Sequence, residues 1–219
     1  MTGISADSET GTSRGLSQWL FNPFRFVAGY KALLLGLAII LLSGFIGRLG
    51  NTHFDGVIDV HIGTKAALWY FLAEGIIDWL SIAIGLFFFG LIVSPSAVRM
   101  IDVFGTQALA RWPYLITAVV MLPEANRRVG AYLMARFTTG IRLAFNYTDM
   151  LIFGFAVIVS IFMAVWMVAL MYRAYAVSCN VKGAKAVITF VVSLIGAEAL
   201  SKFSILLLYG GQFGPAQIK

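Results

Sequence analysis

Cysteine, histidine and charge are all scarce in this chain. A single cysteine, Cys179, stands among 219 residues, which excludes an intramolecular disulfide framework. Only 12% of the residues are charged, against roughly a quarter in soluble domains, while 60% are hydrophobic and the mean hydropathy is +0.88. That composition belongs to a membrane domain, and this length leaves no room for a second folded unit. The net charge of +6 comes mostly from Lys and Arg at the ends of apolar runs. No basic stripe is interleaved with stacking aromatics, so nucleic acid is excluded as a partner. Residues 1–15 are polar, and no short apolar core leads from them to a small-residue cleavage site, so no cleaved signal is expected. The sequence also lacks G-x-S-x-G, a Gly-rich phosphate loop and a Cys/His pair. Both of its histidines, His53 and His61, fall outside the predicted helices, away from any H-E-x-x-H motif. The expectation is a protein that is not an enzyme, with an intramembrane metalloenzyme ranked last.

What is present starts with residues 65–93, an apolar run long enough to cross a bilayer that carries two carboxylates, Glu74 and Asp78. Four residues apart on a helix, they share one face. Facing lipid they would cost at least about 2.5 kcal/mol each near the bilayer centre, so the face is expected to turn inward. The remaining runs predict an all-α polytopic bundle of five transmembrane helices, over residues 30–46, 65–93, 96–123, 149–172 and 184–209. The third is the weakest, interrupted by Arg111 and Pro113. Gly44, Gly47 and Gly50 mark close helix packing near the end of the first.

Two further stretches predict interfacial helices. Trp19, Phe21, Phe24 and Phe26 surround Arg25 ahead of the first span, with Asn22-Pro23 as an N-cap and first helical residue. In residues 124–148, Val129, Leu133, Phe137, Ile141 and Phe145 recur every fourth position, with Arg127, Arg128, Arg136 and Arg142 elsewhere on the wheel. Residues 1–15 are expected to be disordered and 211–219 a flexible end. Lys and Arg divide evenly between the two sides. The more basic first flank and the acidic loop 47–64 favour a cytoplasmic N-terminus, in a cell (inner) membrane or, in a eukaryote, an endomembrane.

The loop holds His53, Asp55, Asp59 and His61. A hairpin turning at Gly56-Val57-Ile58 pairs Asp55 with Asp59 and His53 with His61, all projecting to one side. Two imidazoles and two carboxylates suit a borderline divalent metal such as zinc; the plainer alternative is a polar loop that simply turns at Asp55-Gly56. Glu198 and Lys202 of the fifth span fall at the same outer depth as Glu74 and Asp78. These groups form either an internal ion-pair network, with Lys202 on Asp78 or Glu74, or a cation or proton site roofed by the loop histidines. Arg111, mid-span, is expected to pair with a carboxylate of another helix. Cys179 beside the cytoplasmic face is a site for acylation or an inert thiol.

Two tracts carry a family resemblance. RMIDVFGTQALARWPYLI, with its proline at Pro113, and VWMVALMYRAYAVSCNVKGAKAVITFVV, with Trp166 opening a helix and Lys182 and Lys185 in the following short loop, resemble the Ypt-interacting protein (Yip) family over about residues 17–209. The resemblance implies a five-helix membrane domain over 16–210 with a cytosolic N-terminus. The Asp-Leu-Tyr-Gly-Pro tract of its trafficking members is absent, so a GTPase partner is not carried over. Function then divides between a non-enzymatic membrane-organising or interaction protein, engaging the bilayer and protein partners or a second copy of itself, and a cation- or proton-linked transporter.

Overall fold

In a computed structural model, residue 15, residues 18–138, residue 140 and residues 146–210 are described. Residues 1–14 of the expected disordered start, Ile141, Arg142, Phe145 and residues 211–219 lie outside the described residues. The described chain is all-α apart from one small hairpin, and four helices are long and apolar enough to cross a membrane: α1 (Gly29–Gly50), α2 (Leu68–Val93), α6 (Tyr147–Ser178) and α7 (Gly183–Gly210). Their outward faces are apolar; on α6, Leu151, Phe155, Ile158, Phe162 and Val165 are all exposed. Such a surface suits lipid and no aqueous solvent. These features are consistent with an integral membrane protein.

The expected third span is not one helix. It is broken into α3 (Met100–Leu109) and α4 (Pro113–Val120). Pro113 has no N–H to donate, and its ring would clash with the Leu109 carbonyl in a continuous helix. The chain responds with tight turns, Arg111 N–H donating to Ala108 O and Trp112 N–H to Leu109 O, both at 3.3 Å. Pro113 then opens α4 at a position where its missing N–H costs nothing.

The predicted surface helix is α5 (Glu124–Thr138), shorter than expected. Its four-residue stripe divides along its length, Val129 being buried and Phe137 exposed. Ahead of α1, a 3-10 turn over Pro23–Arg25 follows Asn22, whose side chain makes no capping bond. Phe24 is buried there, while Trp19 and Phe26 stack on each other at 5.3 Å and stay exposed.

Glycine sets the closest packing. A methyl group at Gly36 of α1 would lie 2.4 Å from the backbone of Ala108 and Leu109, and one at Gly105 of α3 would lie 2.6 Å from the Gly29 carbonyl. At those two points α1 and α3 touch backbone to backbone. Gly44 likewise meets the Phe71 carbonyl of α2, at 2.7 Å. Polar ties add to this: Trp79 Nε1–H donates to Phe104 O, and Gln107 Nε2–H to Met171 O, each at 2.9 Å. The main core lies between α2, α3, α6 and α7 and includes Ile82, Leu86, Val103, Met167, Leu170, Met171 and Tyr175.

Candidate functional site

The site is built on the α1–α2 connection. Asn51 ends α1 in the left-handed conformation (φ 53°), a geometry that asparagine tolerates, and its N–H closes on Gly47 O. The chain then runs into strands β1 (Thr52–His53) and β2 (His61–Ile62), which pair antiparallel with Thr52 opposite Ile62 and His53 opposite His61. The hairpin folds down into the bundle: Phe54 and Val57 are buried, and Phe54 packs on Tyr114 of α4 at 5.0 Å.

Glu74 and Asp78 are both fully buried. Three groups close on the Glu74 carboxylate. His53 Nδ1 is 2.8 Å from Oε1, the Phe54 N–H donates to Oε2 at 3.3 Å, and the Tyr209 hydroxyl of α7 donates to Oε1. On the other edge of the His53 ring, Nε2 is 2.9 Å from the Thr64 carbonyl. A carbonyl only accepts, so Nε2 carries a hydrogen. Gly63 makes room for the ring, since a methyl group there would sit 2.4 Å from His53 Cδ2.

One turn along α2, Asp78 is bound by the Ser201 hydroxyl of α7 and by Arg111, whose Nη2 is 3.4 Å from Oδ2 and 3.2 Å from the Val57 carbonyl. The break at Pro113 positions this guanidinium, because Arg111 occupies the turn between α3 and α4 and is only 3% exposed. Buried charges need such company. A cavity of about 20 Å³ lies beside Arg111 and Tyr114, space for one water molecule.

A second cluster sits at the mouth. Asp55, Asp59 and His61 each turn one ligand atom toward the others, all within 4.8 Å. Lys202 of α7 bonds Asp59 and is 3.5 Å from Glu198, and Glu198 Oε2 accepts the Ile58 N–H at 3.1 Å. His61 Nδ1 stands 3.1 Å from Asp55 Oδ1, an ion-pair distance, and that oxygen is shut off from solvent. Burial alone would raise the Asp55 pKa; the charges of His61 and Lys202 outweigh it and hold the carboxyl below 3.8. The adjacent Asp55 carboxylate raises the His61 pKa above 6.5 despite partial burial.

The sequence-predicted groups therefore divide in two. The structure does not gather His53, Asp55, Asp59, His61, Glu74 and Asp78 around one point. His53 turns inward to Glu74, while Asp55, Asp59 and His61 stay at the mouth, and the two groups meet only where the histidine rings stack at 5.6 Å. Lys202 serves Asp59 and Glu198 rather than Asp78 or Glu74, because it lies at the rim while Ser201, next to it, faces the core. Tyr209 and Ser201 are hydrogen-bond partners of the two acids that residue patterns passed over. Both lie on the same helix as Glu198, and a tyrosine near a span end reads first as an interfacial anchor. Cys179 is buried against Gly90, and burial pushes its thiol up to about 12, which disfavours acylation in the folded chain. Compared with known protein families, curated proteins and solved structures, the chain matches no family model, no curated protein and no solved structure.

Proposed function

We propose that this chain is a non-enzymatic integral membrane protein of the Yip type that organises the bilayer around it, with five crossings and a cytoplasmic N-terminus. The observation that carries this reading is the state of its buried charges. Glu74 and Asp78 are fully buried and hydrogen-bonded, Asp78 to Arg111 and Ser201, and the cavity beside Arg111 has space for about one water. A transport path needs room and an exchangeable site at mid-depth; a scaffold needs only that its helices be locked. The fifth crossing is supported by the course of α3 and α4 along α1. Asp102 lies beside Gly29 at one end and Met121 beside Gly50 at the other, so the pair together covers the height of α1.

Apolar and aromatic residues flank the bundle at both depths. Trp19, Phe21 and Phe26 are exposed near the start of α1, and Met134 and Phe137 on α5. Shallow insertion of such groups displaces headgroups and bends or orders the bilayer. The test is reconstitution into liposomes. The expected result is a change in vesicle size or curvature by electron microscopy, reduced by Phe137→Ser with Met134→Ser, and no proton or zinc flux down an imposed gradient. Flux abolished by Asp78→Asn would overturn the scaffold reading in favour of a transporter.

A further inference from the structure

We propose that Asp55, Asp59 and His61 form a binding site for one borderline divalent cation of the zinc class, and that Lys202 is the built-in cation that competes for it. The site goes beyond the scaffold reading and does not depend on it.

Three observations support the site independently of its acidity. First, the donor set mixes one imidazole nitrogen with two carboxylate oxygens from a single hairpin, all mutually within 4.8 Å. Three protein ligands plus water is the coordination of an open zinc site, and tetrahedral ligands about 2.1 Å from the metal lie about 3.4 Å apart. His61 Nδ1 and Asp55 Oδ1 already stand at 3.1 Å. Second, the Asp55 ligand atom has no settled partner of its own. Asp55 Oδ1 is shut off from solvent and has no well-aligned donor, with the imidazole nitrogen 3.1 Å away. Third, the place already holds a positive charge. The Lys202 ammonium bonds Asp59 and stands 3.5 Å from Glu198.

The carboxylates of Asp55, Asp59 and Glu198 thus face one ammonium. When a divalent ion binds, Lys202 releases Asp59 and keeps Glu198, its partner one turn away on α7. Glu198 stays fixed by the Ile58 N–H and by its seat against Gly56, where a methyl group would meet Oε1 at 2.4 Å. His53 takes no part, because its ring is committed to Glu74 and Thr64. Imidazole in the set selects against magnesium and calcium, which prefer oxygen alone.

The test uses tag-free full-length protein in detergent, stripped with chelator and titrated with zinc chloride by calorimetry and by metal analysis after gel filtration. The expected result is one zinc per chain, not displaced by millimolar magnesium or calcium. Asp55→Asn and His61→Gln should each abolish stoichiometric binding. Both residues are partly exposed, and an unchanged thermal midpoint without zinc shows that the variants still fold. Lys202→Met removes the competitor and should tighten zinc binding roughly threefold to fivefold, the effect of one partly exposed ion pair, with the gain shrinking at high salt. Failure to bind one zinc, equal binding by His61→Gln, displacement by magnesium, or unchanged or weaker binding by Lys202→Met would each overturn the proposal.

Discussion

Replacing Arg111 with methionine isolates the buried ion pair. Methionine keeps most of the length and packing of the side chain and removes its charge. Asp78 then keeps the Ser201 hydroxyl but loses the Arg111 guanidinium, and the Val57 carbonyl loses the Nη2 donor, with the Tyr114 hydroxyl left at 3.5 Å. At the observed 3.4 Å separation, an effective dielectric of about 20 gives an attraction of roughly 5 kcal/mol. The Val57 carbonyl adds about 1 kcal/mol. Desolvation of the guanidinium, relieved in the variant, opposes both. Experience with broken buried pairs then sets the expected loss at about 3–5 kcal/mol. Adding Asp78→Asn removes the stranded charge and should restore more than half of it. The assay is reversible unfolding in mixed micelles titrated with sodium dodecyl sulfate, followed by far-UV circular dichroism, for the two single variants and the double. A loss below about 1 kcal/mol for Arg111→Met, or a double variant no more stable than Arg111→Met, would refute the claim that this pair holds the outer core.

Other expectations follow from named contacts. Gly36→Ala should cost about 1–3 kcal/mol in the same assay, because its methyl group would meet the α3 backbone at 2.4 Å and the helices must separate; an unchanged midpoint would contradict the close approach. In metal-free protein with chelator present, the His61 imidazole should titrate above 6.5 by NMR, and Asp55→Asn should bring it down. Since the folded pKa is the raised one, the stabilisation from charged His61 is complete below 6.5 and fades as pH rises through the folded value. An Asp55→Asn variant with an unmoved His61 titration would remove that coupling.

Much of this fold was legible because apolar run length is a strong signal. The second span's stop at Ser94 follows from the proline after it, and the inward face of Glu74 and Asp78 from the cost of exposing acids to lipid. The His53–His61 pairing followed from counting residues outward from a turn centred on Val57, and a partner for Arg111 on another helix from its depth. The rest was set by tertiary geometry. Whether Pro113 kinks a helix or divides it depends on what the freed groups find, and here Arg111 finds Asp78 and Val57. The single six-ligand cluster failed because a two-residue ladder leaves each imidazole free to choose its own neighbour: His53 has a pocket under Gly63 and Phe71, and His61 does not. No pattern along one chain segment reveals that the neighbour of Glu74 is a tyrosine 135 residues later.

That separation has a consequence for biogenesis. Asp78 and Glu74 emerge from the ribosome well before Ser201 and Tyr209, which follow them by 123 and 135 positions. At translation rates of about 5–20 residues per second, two acids wait in the insertion machinery for roughly 6–27 seconds before the closing helix is made. A chain stalled or cleaved after α6 would keep Arg111 on Asp78 and His53 on Glu74 but leave both acids open on the side that Ser201 and Tyr209 close, so premature truncation should be read by the cell as an orphaned subunit rather than as a shortened protein.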